Sequence, residues 1–136
     1  MLITINRQNK NHLYTEGTLL INGKAITLTV EATQTMLSPG TYQIRLRKKK
    51  ARRRLIGIRN TPWSIGIGHS WLSSHRGHLI TLGKYLIPGA LYRATPVYER
   101  LFDRIEKCEH RHEAITLTIR EDCCSSCRPI GHWFKA

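Results

Sequence analysis

Apolar and polar positions alternate with the two-residue period of a strand over much of this chain, and one segment shifts to the 3.6-residue period of a helix. Residues 2–6, LITIN, alternate in this way. Residues 18–31, TLLINGKAITLTVE, hold two β-rich runs around Asn22-Gly23, the pair favoured in a two-residue type I′ hairpin turn. TQTMLSPG reads as a loop punctuated by Pro39-Gly40. TYQIRL, 41–46, alternates again, and LIGIRN, 55–60, is the next strand. WSIGIGH, 63–69, is short, apolar and glycine-containing, as a buried strand is, and HLITLG is another. EAITLTIRE, 113–121, closes the series as a late strand.

The helical segment spans 96–107. Thr95 suits the N-cap and Pro96 the first helical position, and Val97, Tyr98, Leu101, Phe102 and Ile105 form one apolar stripe. These elements predict a mainly β fold with one helix inserted before the last strand, as a β-sandwich or a partly open barrel. Residues 1–121 form the single β-rich domain, and 122–136 form a cysteine-containing C-terminal tail without periodicity.

Charge changes the picture. The 136 residues carry a formal charge of +13, which points to a polyanionic partner such as nucleic acid, an anionic lipid or an acidic wall polymer. The charge is concentrated: Arg45, Arg47, Lys48, Lys49, Lys50, Arg52, Arg53 and Arg54 supply eight of the 22 lysines and arginines. A strand with cations on both faces would bury charge, so 48–53 reads as an exposed hairpin loop. It is either a phosphate-binding patch or a solvated tip. Aromatic content is 7%, which gives no interleaved stacking platform for single strands.

No apolar run approaches the ~18 residues of a membrane span, so no transmembrane segment is expected. The start, MLITINRQNKNHLY, lacks the basic-then-apolar order of a secretory signal. The expected location is therefore the cytoplasm, or an exported one reached without a signal peptide. Cytoplasmic cysteines are free thiols or metal ligands more often than disulfides. Cys124-Ser-Ser-Cys127 is a C-x-x-C knuckle beside Cys123. With Cys108 it gives a candidate zinc set, which His110, His112 or His132 could complete. A disulfide and free thiols stay open as alternatives.

Residues 64–83, SIGIGHSWLSSHRGHLITLG, gather His69, His75 and His78 between two strands. Three imidazoles suit a zinc site with an open position. The alternative is a cleft histidine, His69, beside two solvated loop histidines. Trp63 is expected in the core, whereas Trp71 suits a cleft mouth or rim packing.

The order TEGTLLINGKAI, LSPGTYQIRL, IGIGHSW…HRGHLITLG, a helix ending YERLFDRI, then EAITLTI resembles, over about 2–120, a small bacterial and phage family known as a domain of unknown function. More loosely, it resembles the L,D-transpeptidase catalytic domain, a β-sandwich that cross-links peptidoglycan. Pro39, Gly40, Tyr42 and Ile44 match the strand signature of that domain, with a shorter Pro-to-Gly spacing. His69 falls at the motif histidine, and Ser74, Gly77 and His78 fall on the nucleophile loop, with Arg76 inserted beside His75.

The resemblance implies a cleft lined by His69, Trp71, Ser74, His75 and His78, with Arg76 holding an anionic group of the ligand. His78 stands where the nucleophilic cysteine would, and acyl transfer needs an activated thiolate. The expected function is therefore a cell-wall- or phage-associated domain of lost or altered chemistry, not an active cysteine transpeptidase, with peptidoglycan or another polyanion as partner. The alternatives are a basic nucleic-acid-binding protein using 45–54, and a structural or interaction module.

Overall fold

Strand pairing is built outward from the Asn22-Gly23 turn. A computed structural model describes residues 1–48, 54–67, 78–87, 90–92 and 94–121. Asn22 and Gly23 sit at φ 49° and 86°, the left-handed pair that a type I′ turn requires. They join β2 (Tyr14–Ile21) to β3 (Lys24–Ala32) in antiparallel register. β1 (Leu2–Lys10) lies antiparallel on the other side of β2. Its turn is held by Asn11, whose Oδ1 accepts from the amides of Leu13 and Tyr14 at 2.8 and 2.9 Å, an Asx turn.

The remaining strands are β4 (Gly40–Lys48), β5 (Arg54–Ile58), β6 (Ser64–Gly66), β7 (Leu79–Ile87), β8 (Ala90–Tyr92) and β9 (Thr116–Glu121). The sheet order is β3-β2-β1-β9-β4-β5-β6-β7-β8, and β3 also pairs with β7. That last pairing closes eight strands into a ring, with β8 as an outlying hairpin arm on β7. The expected sandwich or open barrel is thus a closed barrel. The physical reason lies at the seam, where Leu28, Thr29 and Val30 pair with Gly83, Leu82 and Thr81. Two threonine hydroxyls staple it, Thr27 Oγ1 to Gly83 O at 3.0 Å and Thr81 Oγ1 to Val30 O at 2.8 Å. Closure removes the sheet edges that a sandwich leaves exposed.

An eight-stranded barrel has an interior just wide enough to be filled by side chains. Ile3, Ile5, Leu19, Ile44, Ile56, Ile58, Ile65, Ile80, Leu82, Leu117 and Ile119 form one buried cluster. Trp63 joins it, as expected from its place before β6. The helix, α1 (Ala94–His110), adds Leu101, Ile105 and Cys108 to the same cluster. It lies at the end of the barrel where β1 starts and shares a cleft there with Met1 and Asn22.

α1 begins earlier than Thr95, so Thr95 is a helical residue and not the cap, and it runs three residues past 107. Its end is a Schellman turn: Glu113 N donates to Cys108 O at 2.9 Å and His112 N to Glu109 O at 3.0 Å. His112 takes the left-handed position at φ 55°, which glycine more often fills. Glu109 then reaches across to β4, where its Oε2 accepts from Leu46 N at 2.8 Å.

The opposite end of the barrel is charged inside. Arg7 and Glu31 are each 0% exposed and paired in a fork, Nε to Oε2 at 3.0 Å and Nη2 to Oε1 at 2.7 Å. Glu121 Oε1 stands 3.5 Å from Arg7 Nη1 and 3.7 Å from Lys10 Nζ. Arg7 lies beside Gly17 in register, and Gly17 pairs in turn with Thr29. No described helix is long and apolar enough to cross a membrane.

Candidate functional site

Outside the buried cluster, β4 presents polar and basic side chains on the outer surface of the barrel. On β4 the inward positions are Tyr42, Ile44 and Leu46, so Gln43, Arg45 and Arg47 face outward. Arg45 pairs in register with Gly57, which has no side chain to compete for the surface, and is exposed. Arg59 follows β5 and is also exposed; its Nη1 donates to Gln43 Oε1 at 3.0 Å. Arg45 and Arg59 therefore flank Gln43 on one outer face. They line a polar cleft of about 380 Å³ with Glu109 and His112. β4 and β5 remain paired out to Lys48 and Arg54, so this face runs on toward the densest basic segment.

Arg47 has a different task. Its guanidinium donates from Nη2 to Ile58 O and, at 2.8 Å, to Thr61 O. Its aliphatic stem lies over Gly57, where a Cβ would collide with it. Arg47 thereby ties the β5–β6 turn to β4, and its charge is partly spent inside the fold.

Among the sequence candidates, Lys49, Lys50, Arg52 and Arg53 lie outside the described residues. So do His69, Trp71, Ser74, His75 and Arg76, and with them the implied cleft. Of the 48–53 segment expected as a loop, Lys48 is instead the last residue of β4, paired with Arg54, and 49–53 lie outside the described residues.

His78 is described. It sits immediately before β7 in the left-handed region, φ 52°, with its side chain exposed. Its carbonyl accepts from Ser64 N at 3.0 Å, and its ring meets Trp63 edge-on at 5.5 Å and 87°. β6 and β7 run parallel, Ser64 beside Leu79, so position 78 is fixed level with the start of β6.

Cys108 is buried, 5% exposed, inside the apolar cluster. Cys123, Cys124 and Cys127 lie outside the described residues. Among the described residues, no group of three or more His, Cys, Asp or Glu side chains is placed to hold a metal ion.

One basic feature escaped the sequence reading. Arg100, Arg104, Lys107 and Arg111 recur at helical spacing and are all exposed, forming a cationic stripe along α1. The i, i+4, i+7, i+11 period of their charges is the sequence signal for this stripe, which runs beside the apolar stripe of the same segment. No protein-family model, curated protein or solved structure matches the chain.

Proposed function

We propose that this protein binds nucleic acid through the outer face of the β4–β5 ribbon, reading the phosphate backbone and not the bases. The observation that carries the proposal is the pair Arg45 and Arg59, both exposed and set around Gln43 on the face that leads into the basic segment. Cations held on a rigid ribbon release counterions when they meet phosphates, which gives affinity without sequence preference. The few aromatic residues fit duplex contact better than base stacking.

The test is anisotropy with a random duplex over a range of salt. The wild type is expected to show a steep log K against log salt line. Arg45→Gln with Arg59→Gln is expected to flatten that slope by about 1–2 and to weaken binding equally for unrelated sequences. Arg47→Gln separates the roles, because it should lower stability more than affinity. Absence of binding at low salt would remove the proposal.

A second reading is favoured by the setting of His78. The resemblance to the transpeptidase domain puts the nucleophile here. The position is at a strand start, in a strained backbone conformation, with an exposed side chain against a buried tryptophan. In this reading the domain is a cell-wall- or phage-associated binder whose cleft has lost its thiol. His78→Cys is expected to restore a reactive group. A thiol pKa lowered by one unit from ~8.5 gives roughly tenfold more thiolate at neutral pH. Acylation of position 78 by an activated acyl probe, followed by mass spectrometry, should then run about that much faster than at unperturbed cysteines. A rate no higher than theirs counts against the reading.

A further inference from the structure

We infer that the cleft between α1 and the start of β1 is a binding site for a phosphate group, separate from the β4–β5 ribbon. Arg104, Lys107 and Arg111 line this cleft of about 360 Å³, together with Met1, Asn22 and Glu113. Positions seven apart on a helix lie almost above one another, about 10 Å apart along the axis. The long arms of Arg104 and Arg111 can therefore close on one anion from above and below, with Lys107 between them.

Ordinary helix energetics explain only part of this stripe. Cations in the last turn favour the helix dipole, which accounts for Lys107 and Arg111. Arg104 stands before that turn. Its neighbours on the stripe are Arg100 four residues earlier and Lys107 three residues later, and like charges at these spacings destabilise a helix. Among the described residues, neither Arg104 nor Lys107 has an ion-pair partner. Arg111 holds Glu113 at 2.9 Å, but both side chains are about half exposed or more, 64% and 48%. Such a pair is weak, so a dianion can compete for the guanidinium.

The cleft also has a fixed shape. The Schellman turn sets Arg111 and Glu113 in place. Asn22 Oδ1 accepts from Leu2 N at 2.9 Å, which leaves the amide nitrogen of Asn22 as the neutral donor end. Planar guanidinium forks beside a lysine point charge are the donor set that phosphate oxygens take.

The experiment follows thermal unfolding of the full chain in sodium phosphate against sodium chloride at equal ionic strength. Phosphate at tenfold its Kd is expected to raise Tm by about 5 °C over chloride. Arg104→Gln and, separately, Lys107→Gln should lose most of that rise. In chloride alone, Arg104→Gln should leave Tm unchanged or raise it, because repulsion is relieved. The Arg45→Gln/Arg59→Gln protein should keep the full response, so this site can stand if the nucleic-acid reading fails. A dinucleotide is the second probe. A larger response to inorganic phosphate assigns a terminal phosphate as the ligand, and a larger response to the dinucleotide assigns an internal phosphodiester. No rise with either probe at 20 mM (about 20 times a millimolar Kd), or an equal rise in wild type and Arg104→Gln, overturns the site.

Discussion

Glu31→Ala is expected to cost about 3–5 kcal/mol of folding stability. The substitution strands Arg7, which is 0% exposed and donates both of its side-chain hydrogen bonds to Glu31. Glu121 compensates only in part, since its Oε1 stands 3.5 Å from Nη1 and it is itself 27% exposed. A buried guanidinium left with that longer contact alone keeps its desolvation cost and loses most of its compensation. Against a total of ~5–15 kcal/mol for an ordinary domain, that is a large fraction.

The double change Arg7→Met with Glu31→Leu should behave differently. It removes both charges and their desolvation together, so its stability should fall within about 1 kcal/mol of wild type or exceed it. Urea unfolding of the three proteins decides the matter. A Glu31→Ala loss below about 1 kcal/mol would mean that Arg7 finds water or another anion when Glu31 is gone.

Gly17→Ala is expected to cost about 3 kcal/mol, at the upper end for overpacking. The reason is steric. An added Cβ would lie 2.5 Å from the backbone oxygen of Asn6, 3.0 Å from Thr29 Oγ1 and 3.2 Å from Arg7 Cα. Two of these neighbours are main chain, so no rotamer change relieves the clash, and β1 and β2 must separate. For a domain of this size the loss should appear as a drop of roughly 10 °C in Tm. An unchanged Tm would show that the barrel wall yields where Arg7 passes. Gly17 and the Arg7–Glu31 pair are neighbours, so the two effects should not add.

The local grammar of this fold was readable. Asn22-Gly23 marked a hairpin whose strands cover 18–31 as read, with β2 reaching back to Tyr14, and alternation located β4 and β5 to within a few residues. The apolar stripe of α1 placed Leu101 and Ile105 in the core, and extends by one turn to Cys108. Closure was not readable. It depends on β3 meeting β7 through three residue pairs, and neither strand carries a pattern that distinguishes a barrel seam from an open edge. β8 was missed because three residues are too few to show a period.

The charged end of the barrel was hidden for a related reason. Arg7 and Glu31 are 24 residues apart, and each looks like a surface residue by type. Only register puts both on the inner face. The candidate sites divide along the same line. Arg45 and Arg47 belong to one basic run, yet one is exposed and the other is bonded to two carbonyls. Composition cannot separate a charge that is presented from a charge that is used.

The strand at the front of this chain, β1, is walled on one side by the last strand described, β9, in parallel register from Leu2–Thr116 to Arg7–Glu121. Met1 and Ala114, 113 positions apart, are joined by a hydrogen bond. A ribosome therefore releases β1 long before its neighbour exists. Until β9 emerges, one flank of β1 is an unpaired edge with Ile3 and Ile5 exposed beside it, a surface that invites pairing with other chains. Loop closure over that distance also makes for slow assembly, nearer milliseconds to seconds than microseconds. Until the chain is complete, β1 depends on a chaperone or on speed of synthesis to keep that edge from other chains.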